Sequence, residues 1–337
     1  LIARAVEAWF SRHQRPLPWR LSYDPYLVWV SEVMLQQTRM EVVLGYFERF
    51  IARFPAVEVL ARATEDDVVA AWSGLGYYRR ARMLRDGAIE VMDQHGGRIP
   101  GTVEELLTIP GIGRYTAGAI ASIAHRQHAP IVDGNVARIA SRLFGIDEPV
   151  GSPALMRAAW KVAEELVAAC QEPRNFNQGL MECGALICTP RKPNCAACPL
   201  RRMCLAYAEG RVEELPAKKV KQQTRELVIP LYLVRDDDGR VLMRRESGKL
   251  MTAMYHLPHG EATLLTGTPL RVTRKTLLGT FRHTVTTRRI EFRLYAAELT
   301  TMIRESAEEY AWVAVGEMER LPCPSYVGKA MRIGLLT

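Results

Sequence analysis

The sequence predicts two domains of different class: a mainly α domain over residues 1–208 and a smaller α+β domain over 227–337, joined by a linker at 209–226. Three observations lead there. Up to about residue 210 the apolar residues recur at i, i+3 and i+4, the period of a helix face. Beyond it the apolar runs are short and rich in β-branched and aromatic residues, with partial alternation. Between the two lies GRVEELPAKKVKQQTRE, polar, charged and nearly devoid of large apolar side chains.

The helical segments follow in order as VEAWF, YLVWVSEVML, VVLGYFERFIARF, DDVVAAW, VEELLTI, TAGAIASIA, NVARIASRLFGI and ALMRAAWKVAEELVAAC. Short breaks such as FP at 54, GLGYY at 74 and IPGIG at 109 separate them, so about ten helices with tight connections are expected. The strand candidates are LVIPLYLV, GRVLMRRE, LLGTFRHTVT, IEFRLYAAEL and AWVAV. For most of the apolar stripes, core packing is the sufficient explanation.

At 337 residues, 48% hydrophobic and 24% charged, the composition is that of a soluble globular protein. No apolar run reaches the ~18 residues of a membrane span, and the opening stretch reads as an amphipathic helix, not a signal peptide. A cytoplasmic chain, or a nuclear one in a eukaryote, is expected. The net charge of +8 favours a polyanionic partner, since a basic surface gains by releasing counterions from phosphates.

Four of the seven cysteines fall in CTPRKPNCAACPLRRMC, as Cys188, Cys195, Cys198 and Cys204 in a C-x6-C-x2-C-x5-C pattern. That crowding excludes a secreted disulfide framework and points to a metal or cluster in a reducing compartment. Four thiolates hold either tetrahedral zinc or a [4Fe-4S] cube. A single C-x2-C after the helical FNQGLMECGALIC favours iron-sulfur over a zinc ribbon. Arg191 and Lys192, with Arg201 and Arg202, make the loop a candidate phosphate-binding surface.

IPGIGRYTAGAI, 109–120, places Gly111 and Gly113 in a short turn between two helical runs. Such a turn brings the backbone close to another group and opens free amides at a helix start to an anion. This is a helix-hairpin-helix pattern, spanning 103–124, that would grip a DNA phosphate. Asp133 in IVDGNV stands just before a helical run, where an N-cap is the simplest role. Glu32 in WVSEVMLQQT is surrounded by Val30, Val33, Met34 and Leu35, where an unpaired carboxylate is costly. One carboxyl in an apolar site can stay protonated and act as an acid while a second stays ionised and stabilises a positive transition state.

On these motifs the chain resembles the endonuclease III superfamily of DNA base-excision glycosylases. Within it, WVSEVMLQQT, GLGYYRRARML and the trailing β-rich domain are similar to the MutY-type adenine glycosylases, which act on adenine mispaired with 8-oxoguanine. The resemblance implies Glu32 as the acid that protonates adenine N7 and Asp133 as the carboxylate that stabilises the oxocarbenium sugar, with Asn135 and Tyr115 around it. It implies an adenine pocket from Arg15, Trp19 and Gln178, duplex-wedging or 8-oxoguanine-reading roles for Leu35, Gln37 and Tyr77, and substrate or DNA contacts for Arg20 and Thr38. It further implies a [4Fe-4S] cofactor, a Nudix-like C-terminal domain that detects the lesion, and a monomer bound to duplex DNA with A:8-oxoguanine or A:G mispairs.

Bifunctional members carry a lysine at position 115, whose imine leads to strand cleavage; Tyr115 cannot form one, so a monofunctional enzyme is expected. The C-terminal part departs from the family. No G-x5-E-x7-R-E-x2-E-E box occurs, LMTAMYHLPHG replaces an LLxGLWEFP stretch, and Val285, Thr286 and Thr287 stand where a Phe-Ser-His is expected. Thr286 keeps a hydroxyl for docking, but weaker selectivity for 8-oxoguanine over guanine is expected. The alternatives are a sister glycosylase for another lesion and a non-catalytic iron-sulfur DNA-binding or redox-sensing protein.

Overall fold

The computed structural model describes residues 1–218, 225–246, 254–259, 272–285, 288–299 and 310–336. In chain order the first helices are α1 (Ile2–His13), α2 (Pro25–Leu35), α3 (Met40–Arg53), α4 (Val57–Arg62), α5 (Glu65–Ala71) and α6 (Arg79–His95). They are followed by α7 (Val103–Leu106), α8 (Arg114–Ala119), α9 (Gly134–Phe144), α10 (Pro153–Ala168), α11 (Pro173–Leu186) and α12 (Leu205–Ala208). The strands are β1 (Arg225–Leu233), β2 (Val241–Arg245), β3 (Tyr255–His256), β4 (Val272–Val285), β5 (Arg288–Leu299) and β6 (Tyr310–Val313), and α13 (Ser325–Leu336) closes the order.

The chain forms two compact units, Leu1–Arg62 with Met83–Val220, and Ala63–Arg82 with Lys221–Thr337. Residues 63–82, expected within the helical domain, therefore group with the β-rich unit. Local bonds explain it: the Tyr78 hydroxyl donates to the Cys323 carbonyl at 3.0 Å, and Arg245 pairs with Asp66 at 3.2 Å. Part of the expected linker also differs from a free tether. Leu215 is buried, its carbonyl accepts from Arg142 Nε at 2.9 Å, and the Val150 and Ala217 amides bond to Ala217 and Glu148 carbonyls.

In the helical unit α2 is capped by Asp24, whose carboxylate accepts from the Tyr26 and Leu27 amides, and opens with Pro25 at its first position. Tyr26 and then Val28 through Met34 are all buried, so this helix has no solvent face in its second half and Glu32 is enclosed with its neighbours. α9 is capped by Asp133 and ends on Gly145 in the left-handed conformation, φ 65°. α1 lies on α11 at Gly179, where a Cβ would sit 2.6 Å from Val6 Cγ1 and 3.1 Å from Phe10 Cβ. Phe10 and Val6 fill that seam; burying each contributes roughly 1.5–3 kcal/mol. α6, charged along most of its length, is a helix that the apolar period alone did not announce.

Among the described residues the β-rich unit has two three-stranded sheets, ordered β1-β5-β4 and β3-β2-β6, with α13 packed on the first, as the α+β reading expects. β1 pairs in parallel with β5 in the register Leu231↔Leu294, and β4 pairs antiparallel with β5 from Val272↔Leu299 to Val285↔Arg288. Pro230, which has no amide hydrogen, sits in β1, the edge strand of its sheet. Ile229, Leu231, Phe292, Leu294, Tyr326 and Val327 form the core between sheet and helix. Thr286 and Thr287 lie outside the described residues. His283 packs towards that core, its ring centroid 5.9 Å from Tyr326 and 6.5 Å from Phe292.

Candidate active site and cysteine loop

Two carboxyls and a phenol from three helices meet in the helical unit. Glu32 on α2 is 5% exposed, and the Tyr115 hydroxyl on α8 donates to its Oε2 at 2.6 Å. Burial pushes the Glu32 carboxyl up to about 7; the Tyr115 bond opposes that rise, the Asp133 charge adds to it, and Arg20 opposes it. Tyr115 is held well above its ordinary range by burial and by both acids, so it stays a neutral donor.

Asp133 caps α9 with Oδ1, accepting from the Val136 amide at 2.7 Å, while Oδ2 accepts from Asn135 Nδ2 at 2.8 Å. Burial raises its pKa, and these two donors oppose the rise by favouring the anion. The environments thus differ in kind. Glu32 has one phenol to share a proton with; Asp133 has two fixed N–H donors aimed at its charge.

Asn135 is itself held. Its Oδ1 accepts from Arg138 at 2.8 Å, and Arg138 also donates to the Gly184 carbonyl at 2.8 Å and the Cys188 carbonyl at 2.6 Å. Gly184 permits this approach, since a Cβ there would fall 2.5 Å from the Asn135 Cβ. A continuous run of bonds therefore leads from Asp133 through Asn135 and Arg138 to the first residue of the cysteine loop.

A second constellation joins α11 to the segment after α1. Glu182 is buried and accepts from Arg15 Nε at 2.7 Å and NH2 at 3.0 Å, and from Arg20 NH2 at 3.0 Å. Burial alone would raise its pKa, but the hydrogen bonds from Arg15 and Arg20 hold it below the ordinary carboxylate value. Arg20 Nε also donates to Gln178 Oε1 at 2.8 Å. Arg15, Arg20 and Gln178 are thus brought together, whereas Trp19 is buried against Phe47, ring centroids 5.0 Å apart.

Leu35 is half-buried at the end of α2. Gln37 is exposed with φ 57°, a left-handed conformation that costs a non-glycine residue about 1–3 kcal/mol and holds its side chain out of the helix path. Thr38 turns back to the Gln36 carbonyl at 3.4 Å. Tyr77, in the other unit, is likewise left-handed at φ 51° and 51% exposed. In the hairpin, Gly111 has φ 81° and a Cβ there would meet Met83 Cβ at 2.7 Å. Gly113 caps α8 with no side-chain hydrogen bond to the first amides of the helix.

Cys188, Cys195, Cys198 and Cys204 line one pocket with Arg142, Ile187, Pro193 and Tyr207. The residues fit a thiolate-held group. Arg142 is buried and, among the described residues, forms no ion pair with a carboxylate; its guanidinium instead donates to Cys188 Sγ at 3.2 Å and to the Thr189 carbonyl at 2.8 Å. Cys198 is lowered to about 7, first by its bond with Cys183, against desolvation, and then by the Leu200 and Arg201 amides. Arg191 and Lys192 are exposed on the loop, Lys192 with φ 47°.

Glu182, Arg138 and Arg142 were not singled out from the sequence. Glu182 follows Gln178 by four residues and Arg142 follows Arg138 by four, so each pair shares a helix face. Nothing in the spacing names the distant groups they meet.

Residues 30–165 match the family described as HhH-GPD superfamily base excision DNA repair protein. The adenine DNA glycosylase of Rattus norvegicus is 43% identical over 225 residues, covering 63% of this chain and 43% of the relative. That of Buchnera aphidicola subsp. Acyrthosiphon pisum is 33% identical over 259 residues, covering 77% and 74%. The chain thus spans less than half the length of the mammalian relatives it matches. A thermostable thymine-DNA glycosylase structure aligns with TM-score 0.55 and 28% identity, over 61% of this chain and 95% of that one. A trapped endonuclease III–DNA covalent intermediate, at TM-score 0.50 and 19% identity over 62% and 95%, shares the fold. By the extent and identity of the Buchnera match, the chain belongs to the family of adenine DNA glycosylases within the HhH-GPD superfamily.

Proposed function

We propose that this chain is a monofunctional glycosylase that hydrolyses the N-glycosidic bond of adenine mispaired with 8-oxoguanine or guanine in duplex DNA. The observation that carries the reading is the pair of unlike carboxyls: Glu32, buried and held near 7 with one phenol donor, and Asp133, raised by burial but with the Val136 amide and Asn135 Nδ2 opposing that rise. Cleaving a purine from its sugar needs a proton on the departing base and negative charge beside the developing oxocarbenium ion. Glu32 supplies the proton and Asp133 the charge; water then completes the hydrolysis. Tyr115 steers the Glu32 proton and, lacking an amine, forms no imine, so the strand stays uncut.

The target adenine must leave the stack to reach these groups. Arg15 and Arg20, fixed by Glu182, and Gln178, bonded to Arg20, supply donors and acceptors for its edge, with Trp19 propping the segment that bears Arg15 and Arg20. Leu35 and Gln37 enter the duplex where the base has gone, Thr38 contacts the DNA beside them, and Tyr77, in the other unit, is a DNA-binding residue in its own right. The amides around Gly111 and Gly113 and the side chains of Arg191 and Lys192 hold phosphates. Cys188, Cys195, Cys198 and Cys204 would hold a [4Fe-4S] cluster, a fixed anionic anchor for that loop and for Arg142. The unit containing 227–337, Nudix-like and including Thr286, senses the opposite base. The enzyme acts as a monomer wherever the genome lies, in the bacterial cytoplasm or the eukaryotic nucleus.

The test is base release from duplexes carrying adenine opposite 8-oxoguanine, guanine or thymine. Adenine release from the first two is expected, with only a modest preference for the oxidised base, and Glu32→Gln should cost about 10²–10⁴-fold in rate with duplex binding retained. Release of thymine in place of adenine would favour a sister glycosylase. Duplex binding with no base release would favour a non-catalytic role.

A further inference from the structure

The β-rich unit contains a buried constellation that no step of base excision uses. His256 in β3 and His259 three residues on form an H-x-x-H pair, and Glu246 follows β2. All three side chains are buried, and one ligand atom from each lies within 4.8 Å of the other two. We propose that Glu246, His256 and His259 form a binding site for a divalent transition metal of zinc type, joining the two sheets of this unit.

The orientation of His256 supports it. Its Nδ1 lies 3.0 Å from the Leu257 carbonyl, an acceptor only, so Nδ1 carries the proton, and Nε2 faces Glu246 Oε2 at 3.2 Å. A ring that donates one N–H to a backbone carbonyl and turns the other nitrogen on a carboxylate is in the posture of a metal-bound histidine. An imidazolium–carboxylate pair would satisfy the same two groups, but the His259 ring stands beside them, its centroid 4.9 Å from that of His256. A second imidazole against a buried cation is unfavourable, whereas a metal takes neutral nitrogens from both rings. Two nitrogens and one carboxylate oxygen are an established zinc donor set, with water left for the fourth position. At bonds of about 2.0–2.2 Å, tetrahedral ligand atoms stand roughly 3.3–3.6 Å apart, so the side chains need only a modest contraction.

The backbone brings the three residues together from β3 and from the segments that follow β2 and β3. His256 pairs with Arg244 of β2, the Glu246 amide bonds to the Met254 carbonyl at 2.9 Å, and His259 bridges to Leu231 of β1. An ion here would reinforce the link between β1 and the β3-β2-β6 sheet that the Leu231–His259 bridge already makes. Such a clip favours folding because the unfolded chain has no preformed site.

The experiment uses the full chain with its cysteine loop loaded, stripped of loosely held metal and dialysed to equilibrium against micromolar Zn²⁺ or Co²⁺. One equivalent should bind beyond the metal of the cysteine loop. With Co²⁺ the site should give tetrahedral visible bands without thiolate charge transfer, since its donors are nitrogen and oxygen. His259→Gln and Glu246→Gln should weaken this uptake by at least roughly 100-fold with iron content unchanged. A folded wild-type chain that takes up no such ion, or takes it up with thiolate charge transfer, overturns the proposal. So does undiminished uptake by either variant when folded. Should both variants fail to fold, the wild-type stoichiometry and spectrum decide alone.

Discussion

Replacing Tyr115 with Phe isolates the proton that the proposed mechanism depends on. The phenol donates to Glu32 Oε2 at 2.6 Å and opposes the rise that burial imposes on the carboxyl. A hydrogen bond to a charged group is worth about 1.5–3 kcal/mol, of which part persists when the carboxyl is protonated. The differential loss is therefore about 1.4–2 kcal/mol, or roughly one pK unit or slightly more. Glu32 must be protonated to act, so wild-type adenine release should fall as pH rises through about 7. In Tyr115→Phe the carboxyl keeps its proton longer, and the alkaline limb should move up by roughly one unit while the plateau drops. Stability follows the same sign. The unfolded carboxyl ionises near its ordinary value of 4.5, where the folded one still holds its proton, so stability declines between about 4.5 and 7 in the wild type and over a longer range in the variant. Single-turnover release on an A:8-oxoguanine duplex, across about two pH units either side of 7, measures the limb. A limb that stays in place or moves down refutes the assignment of the acid to Glu32.

Two further outcomes come from the bonds around the site. Arg138→Ala removes the donors to Asn135, Gly184 and Cys188 together, so Asp133 loses its braced neighbour; adenine release should fall about 10²-fold while duplex affinity, measured by gel shift, changes little. Glu182→Gln leaves the largely buried Arg20 and the adjoining Arg15 without their counter-charge, and breaking such a pair costs about 3–5 kcal/mol, which should appear in thermal denaturation as a loss of roughly 6–15 °C.

The helix period exposed most of the helical unit because its helices are amphipathic, and α2 stood out for being apolar almost all round. It did not expose α6, whose stripe is diluted by arginines, or the attachment of 63–82 to the β-rich unit, since a helix face does not name its partner. Glu32 was legible because a lone acid in VSEVML has nowhere polar to turn. Asp133 read first as a cap, and it is a cap: the same bond that starts α9 fixes the position of its carboxyl. Glu182, Arg138 and Arg142 were not legible, because their meaning lies in carbonyls, sulfurs and guanidinium groups that only the fold brings near. The pairing of His256 and His259 with Glu246 was hidden for the same reason. The sequence displayed only an altered stretch.

The salt bridge between Arg15 and Glu182 spans 167 residues of chain. Closing a loop of that length costs about 4–5 kcal/mol in chain entropy before any contact can repay it. The proposed adenine pocket is therefore expected to form late. It forms only when α11 has docked under α1, whereas the α7–α8 hairpin, built from neighbours in sequence, can form early. A refolding chain should regain its grip on phosphate before it regains the ability to hold an adenine.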